Sequence, residues 1–139
     1  LTQNGHDTWF TLPVPMLTKA VRFEGKASGD WFRMEEISAT GCSPYCDATI
    51  GLTTAASCTQ SEVDPYWGGG SLDCSALING DTEWGSSTSR YVYPSGRVTL
   101  SWSDVMLVET IVVYQSTDGP QHGFELQVQS LTTSLWTTV

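Results

Sequence analysis

Positive charge is scarce in this chain. Lys and Arg together number 6 against 15 Asp and Glu, a net charge of −9 over 139 residues. Nucleic-acid phosphates are held by clustered Lys and Arg, so the balance argues against a nucleic-acid partner, and binding to anionic membranes by charge is disfavoured. No apolar run approaches the ~20 residues of a membrane-spanning helix. The opening LTQNGHDTWF lacks the basic and then apolar build of a signal peptide, and the chain reads as a mature product or an excised piece. Asn-x-Ser/Thr is missing, because Asn4 and Asn79 both fail the pattern.

Catalytic constellations are missing too. The two histidines, His6 and His122, sit in no recognisable motif, and there is no Gly-x-Ser-x-Gly. The Gly-rich WGGGS, Trp67–Ser71, lacks the Lys of a phosphate loop and reads as a flexible loop. Glu35 and Glu36 are neighbours in an expected strand, so alternation should send them to opposite faces, where they could not flank one glycosidic bond. The chain is therefore read as a non-enzyme.

What is present is β-chemistry. Charged residues make up only 15% of the chain, and Thr, Val, Trp and Tyr are well represented. Period-2 alternation marks strands at 19–25, 31–41, 96–103 (with Val98, Leu100 and Trp102 on one face), 123–131 (Phe124, Leu126, Val128) and 134–139. The near-continuous apolar run at 108–116 reads as a central strand. STDGPQHG at 116–123 reads as a turn. Residues 42–95 are rich in Gly, Ser, Thr and Cys, which is loop chemistry. The four cysteines, Cys42, Cys46, Cys58 and Cys74, all fall in this stretch, separated by three, eleven and fifteen residues. Zinc ligands would come in closer pairs or with nearby His, so two disulfides and an oxidising compartment are expected, with three pairings open. Several strands with long polar loops indicate an all-β sandwich or jelly roll.

Two segments resemble discoidin-like domains, the coagulation factor 5/8 type C family of galactose-binding-like folds. KAVRFEGKASGDWFRMEEISATGC (19–42) is similar to the closing strands of that family, through Val21-Arg22-Phe23, Glu36-Ile37 and Gly41-Cys42. SALINGDTEW (75–84) is similar to its early Asp-Gly loop and core Trp, and VTLSW, ETIVVY and FELQVQS follow like its middle strands. The order is swapped: the end of the domain precedes its beginning. DTWFTL (7–12) and SLWTTV (134–139) share a Trp-x-Thr-apolar pattern, so Trp9 and Trp136 would be equivalent positions almost one domain apart. The resemblance implies one circularly permuted jelly roll over 1–139. In it, 1–41 supplies the closing strands and 46–139 the opening and middle ones. A cut through tandem repeats is the other arrangement, but half domains would expose sheet edges and aggregate or swap.

The resemblance also carries sites. It pairs Cys42 with Cys46 and leaves Cys58–Cys74 to staple the loop around Trp67; Cys42–Cys58 with Cys46–Cys74 is the second option. It implies a structural calcium ion at Asn79, Asp81 and Glu36, completed by carbonyls near Ala76 and Asp81 and by Ser86 or Ser87. Asn79 stands where the family has Asp, which removes one charge. Loop aromatics stack on sugar rings, so Tyr66, Trp67 and Arg90 are the candidate ligand residues, whereas Trp84 matches the core Trp. The Arg and His pattern of fucose-binding relatives does not map onto this chain, and the basic flanks of phospholipid-binding relatives are missing. The expected role is a secreted or cell-surface module binding glycans or an extracellular protein in cell adhesion or surface assembly. The alternative is a structural module that self-associates in a filament or coat.

Overall fold

The structure is a computed structural model. It describes the backbone at 2–4, 7–26, 32–42, 48–61, 72–80, 90–92, 95–115 and 124–139, and the side chains at 15–26, 34–42, 48–61, 72–80, 95–115 and 124–139. Among the described residues, ten strands follow in chain order. They are β1 (Thr2–Asn4), β2 (Asp7–Gly25), β3 (Phe32–Met34), β4 (Glu36–Cys42), β5 (Ile50–Gly51), β6 (Ser57–Gln60), β7 (Arg90–Val92), β8 (Arg97–Tyr114), β9 (Phe124–Gln129) and β10 (Trp136–Thr138). Two short 3-10 turns, Thr53–Ala55 and Ser75–Ile78, are the helical elements among the described residues. The protein is all-β, as its composition indicates.

Eight strands form one antiparallel sheet in the order β10-β9-β2-β8-β4-β5, with β1 added to β2 and β6 to β8; β3 and β7 pair separately. Two long strands, β2 and β8, serve both halves of this sheet. Near Ala20–Glu24, β2 pairs β9 on one side and Arg97–Ser101 of β8 on the other, while β6 flanks β8 beyond. Near Asp7–Leu17, β2 pairs Leu107–Tyr114 of β8, and β4 lies on the far side of β8. The pairing shifts register between Thr11 and Met16 and again between Thr18 and Ala20. Bulges let one strand bend from one layer into the next.

The residues at these shifts explain them. Pro13 and Pro15 lie inside the first, where their missing N–H groups leave no ladder bond unmade. At the second, the Thr18 hydroxyl accepts the Ala20 N–H at 3.1 Å and lies 2.9 Å from the Gln129 carbonyl, tying β2 to β9. Trp102, in the extra residues of β8, donates its indole N–H to the Leu52 carbonyl at 2.9 Å, so its polar edge is satisfied in the core.

The two halves share one core. The first half contributes Val21, Phe23, Val98, Leu100, Leu126 and Val128; the second contributes Ile37, Ala39, Val108, Ile111 and Val113. The rows are in register: Val21 lies opposite Leu100 and Val128, and Phe23 opposite Val98 and Leu126. The Phe23 ring meets Phe124 edge-on at 5.7 Å. Val112 is buried as well, so Ile111–Val113 is covered on both faces.

Three expectations need correction. The strands read at 96–103 and 108–116 are one strand, because β2 pairs both sides of the bulge. The strand read at 19–25 begins at Asp7. The strand read at 31–41 is broken by a bend at Glu35, and Met34, Glu35, Glu36 and Ile37 are all buried. The bend cancels the alternation that should have sent Glu35 and Glu36 to opposite environments.

Candidate functional site

Residues 62–71, which include Tyr66 and Trp67 and lie outside the described residues, are bounded by a pinned stem. On its outgoing side is β6, held to β8 along Ser57–Gln60. On its return side, Leu72 accepts the Gln60 N–H at 2.7 Å, Asp73 bridges Thr59, and Cys74 donates to the Cys58 carbonyl at 3.3 Å. The Cys58–Cys74 disulfide closes the stem across a separation of 16 residues. Loop closure costs entropy, and a covalent staple removes much of that cost from folding. Both cysteines are buried against the core, so the staple anchors the loop to the sheet.

An open depression of about 460 Å³ lies against this stem, lined by Ala56, Ser57, Cys58, Thr59, Leu72, Asp73 and Ser75. Its size falls within the range of small-ligand sites. The lining mixes three hydroxyls and a carboxylate with the exposed side chain of Leu72. Asp73 Oδ1 accepts the Ser75 N–H at 2.8 Å, which fixes the carboxylate's orientation. The lining therefore offers both hydrogen-bonding groups and apolar surface to a ligand. Tyr66 and Trp67 lie outside the described residues, and so does the side chain of Arg90, whose backbone pairs Met34 in β3.

A second place joins distant segments. Glu36, at the start of β4, is buried, and its Oε1 accepts the Gly80 N–H at 3.0 Å. Gly80 has φ +86°, a conformation glycine adopts without strain. The turn at Asn79-Gly80 is therefore held against the β4 carboxylate. A hard cation takes six to eight oxygens. Among the described residues, Glu36 is the one carboxylate shown against this turn; Asp81, Trp84, Ser86 and Ser87 lie outside them. Among the described residues, no group of three or more His, Cys, Asp or Glu forms a metal cluster.

Cys42 is buried and disulfide-bonded, and Cys46 lies outside the described residues. Sequence reasoning did not single out Ser57, Thr59, Asp73 or Ser75 for the depression. The one available signal was the position of Asp73 beside a stapling cysteine. No family model matches the chain, and neither a curated protein nor a solved structure does.

Proposed function

We propose that this chain is a non-catalytic extracellular recognition module, a circularly permuted jelly roll that binds glycans at the stapled loop. The observation that carries the reading is the depression beside the Cys58–Cys74 stem, with Asp73 oriented at its wall. In this reading Asp73, Ser57 and Thr59 accept from or donate to sugar hydroxyls, and Trp67, outside the described residues, is the candidate stacking residue from the sequence. Disulfides persist chiefly in oxidising compartments, and the Cys58–Cys74 bond is compatible with the extracellular assignment. Among the described residues, no helix is long and apolar enough to cross a membrane. Support for one domain, rather than two half domains, comes from strand pairing. Strands β2 and β4, from 1–42, share one sheet with β8 and β9, from after residue 46.

The test is retention on a glycan array. Trp67→Ala and Asp73→Asn are each expected to lower retention at least about tenfold, as losing one well-placed contact of ~1.4 kcal/mol does, with unchanged melting temperatures. Retention equal to that of the wild type in both variants would move the binding site away from the stem, and a wild type that no glycan retains would sink the glycan reading and favour a protein ligand.

Calcium enters this reading through Glu36, Asn79 and Asp81, as a structural ion that clamps the 79–81 turn to β4. A ligand of the folded state at about a hundred times its Kd adds about 2.7 kcal/mol of stability. Thermal unfolding is therefore expected to shift upward with calcium and to return with excess chelator. Glu36→Gln keeps an oxygen for the Gly80 N–H but removes the charge, so it should abolish the calcium shift while leaving the chelated melting temperature nearly unchanged. If calcium moves the wild type no more than magnesium does, Glu36 is simply the acceptor that holds the turn.

A further inference from the structure

We propose that Asn79-Gly80 is a self-modification site, in which the Gly80 backbone nitrogen attacks the Asn79 side-chain amide and yields aspartate or isoaspartate, and that Glu36 slows the step by holding the Gly80 N–H. The chemistry belongs to the chain's own backbone and needs neither a glycan nor calcium.

The fold itself creates the pair. The 3-10 turn Ser75–Ile78 ends at Asn79, which has φ −91° and ψ −3°. Gly80 follows at φ +86°, and a left-handed residue after a helical turn is ordinarily glycine. Glycine also leaves its own nitrogen unshielded, so ring closure on a preceding Asn is less hindered than before any other residue. Asn79 and Gly80 are both exposed, and water can reach them.

The step needs only water. Gly80 N gives its proton to solvent and bonds to Asn79 Cγ. The Cγ–Nδ2 bond breaks, and the nitrogen leaves as ammonia with a proton taken from solvent. The product is a cyclic imide, which water opens. Cleavage between Gly80 N and Cγ gives aspartate. Cleavage between Gly80 N and the main-chain carbonyl carbon gives isoaspartate, whose backbone runs through Cγ.

Two features of the folded chain oppose this. Ring closure needs Gly80 N on the same side as the Asn79 Cβ. At ψ −3° it lies instead in line with the Asn79 nitrogen, so the peptide must rotate first. That rotation is resisted at both ends of the turn. Leu77 is anchored in the core, and Gly80 donates its N–H to Oε1 of buried Glu36 at 3.0 Å. The second feature is electrostatic. The attacking nitrogen must shed its proton, and a carboxylate oxygen beside it favours the N–H over an amide anion. Glu36 lies 44 residues away in sequence, so this restraint exists only in the folded chain. Conversion also undoes the restraint. Aspartate adds a like charge to the turn that Glu36 holds, and isoaspartate lengthens the backbone ahead of Gly80 and shifts its N–H from the acceptor.

The test ages the whole chain at neutral pH with chelator, so that no cation holds the turn, and follows conversion by peptide mapping and mass spectrometry. The other asparagine, Asn4, also precedes a glycine and serves as a reference within each digest. In the folded wild type, Asn79 is expected to convert at least about tenfold more slowly than in the same chain unfolded in guanidinium chloride, as loss of one charge-assisted hydrogen bond would give. Glu36→Gln keeps a weaker, neutral acceptor and should speed conversion at Asn79 about fivefold, with Asn4 unchanged. Glu36→Asp withdraws the oxygen by one methylene and should act in the same direction. Melting temperatures establish that each variant is folded at the ageing temperature. Equal rates at Asn79 in the folded and unfolded wild type, or a folded Glu36 variant that converts Asn79 no faster than the wild type, overturn the proposal. Slower conversion in Glu36→Gln would make Glu36 a base that assists the attack and overturns its restraining role.

Discussion

Gly41→Ala is expected to lower the melting temperature by roughly 10–20 °C, an effect of about 3–5 kcal/mol in a domain of this size. Gly41 is buried in β4, where the pairing with β8 shifts register between Thr40 and Gly41. A Cβ built there would stand 2.0 Å from the Leu107 carbonyl oxygen and 3.1 Å from the Val108 Cα. Both are backbone atoms, so no rotamer change relieves the clash. The two strands must separate, and that loosens the ladder through Cys42. Gly51→Ala is the matched control. It has open space around its Cβ position, so it should change stability by no more than about 0.5 kcal/mol. Thermal unfolding followed by circular dichroism checks both. A Gly41→Ala variant melting within a few degrees of wild type would mean that β4 does not lie this close to β8.

Removing the Cys58–Cys74 staple by a double alanine substitution should cost about 3 kcal/mol, the chain-entropy value for a loop of this length. The loss reaches function as well as stability. Without the bond, the Leu72–Cys74 return strand is held to β6 only by a few main-chain hydrogen bonds, and Asp73 loses its fixed place beside Thr59. Glycan retention should therefore fall by at least as much as with Trp67→Ala, even well below the melting temperature. Measuring both variants on one array separates two causes. A stapled loop that binds predicts loss in both. Retention that survives loss of the staple, at a lowered melting temperature, would place the ligand elsewhere on the protein.

Much of this architecture is written in local pattern. Val98 and Leu100, and likewise Phe124, Leu126 and Val128, alternate as strands must, and each of these residues is buried. Alternation is a property of neighbours in the chain, so one sequence suffices to read it. The clustering of all four cysteines in the loop-rich middle likewise indicated staples, though it left three pairings open. The pairing of Cys58 with Cys74 follows from tertiary structure, because β6 and the return at Leu72–Asp73 come together only when β6 docks on β8.

Contacts between distant segments were beyond local pattern. That Glu36 meets Gly80, 44 residues away, was indicated only by the resemblance, and its geometry came from the fold. The burial of both Glu35 and Glu36 depends on a bend that period-2 reasoning cannot see, because the bend occurs where β3 leaves for β7 and β4 joins β8. The joining of 96–103 and 108–116 depends on β2 spanning the bulge between them. Local pattern was enough for the all-β class and the core-facing residues of several strands. Which carboxylate sits beside the depression, and where the pairing of β2 with β8 shifts register, follow from the tertiary structure. Those outcomes depend on pairing between strands, whose energy is shared by residues far apart in the chain.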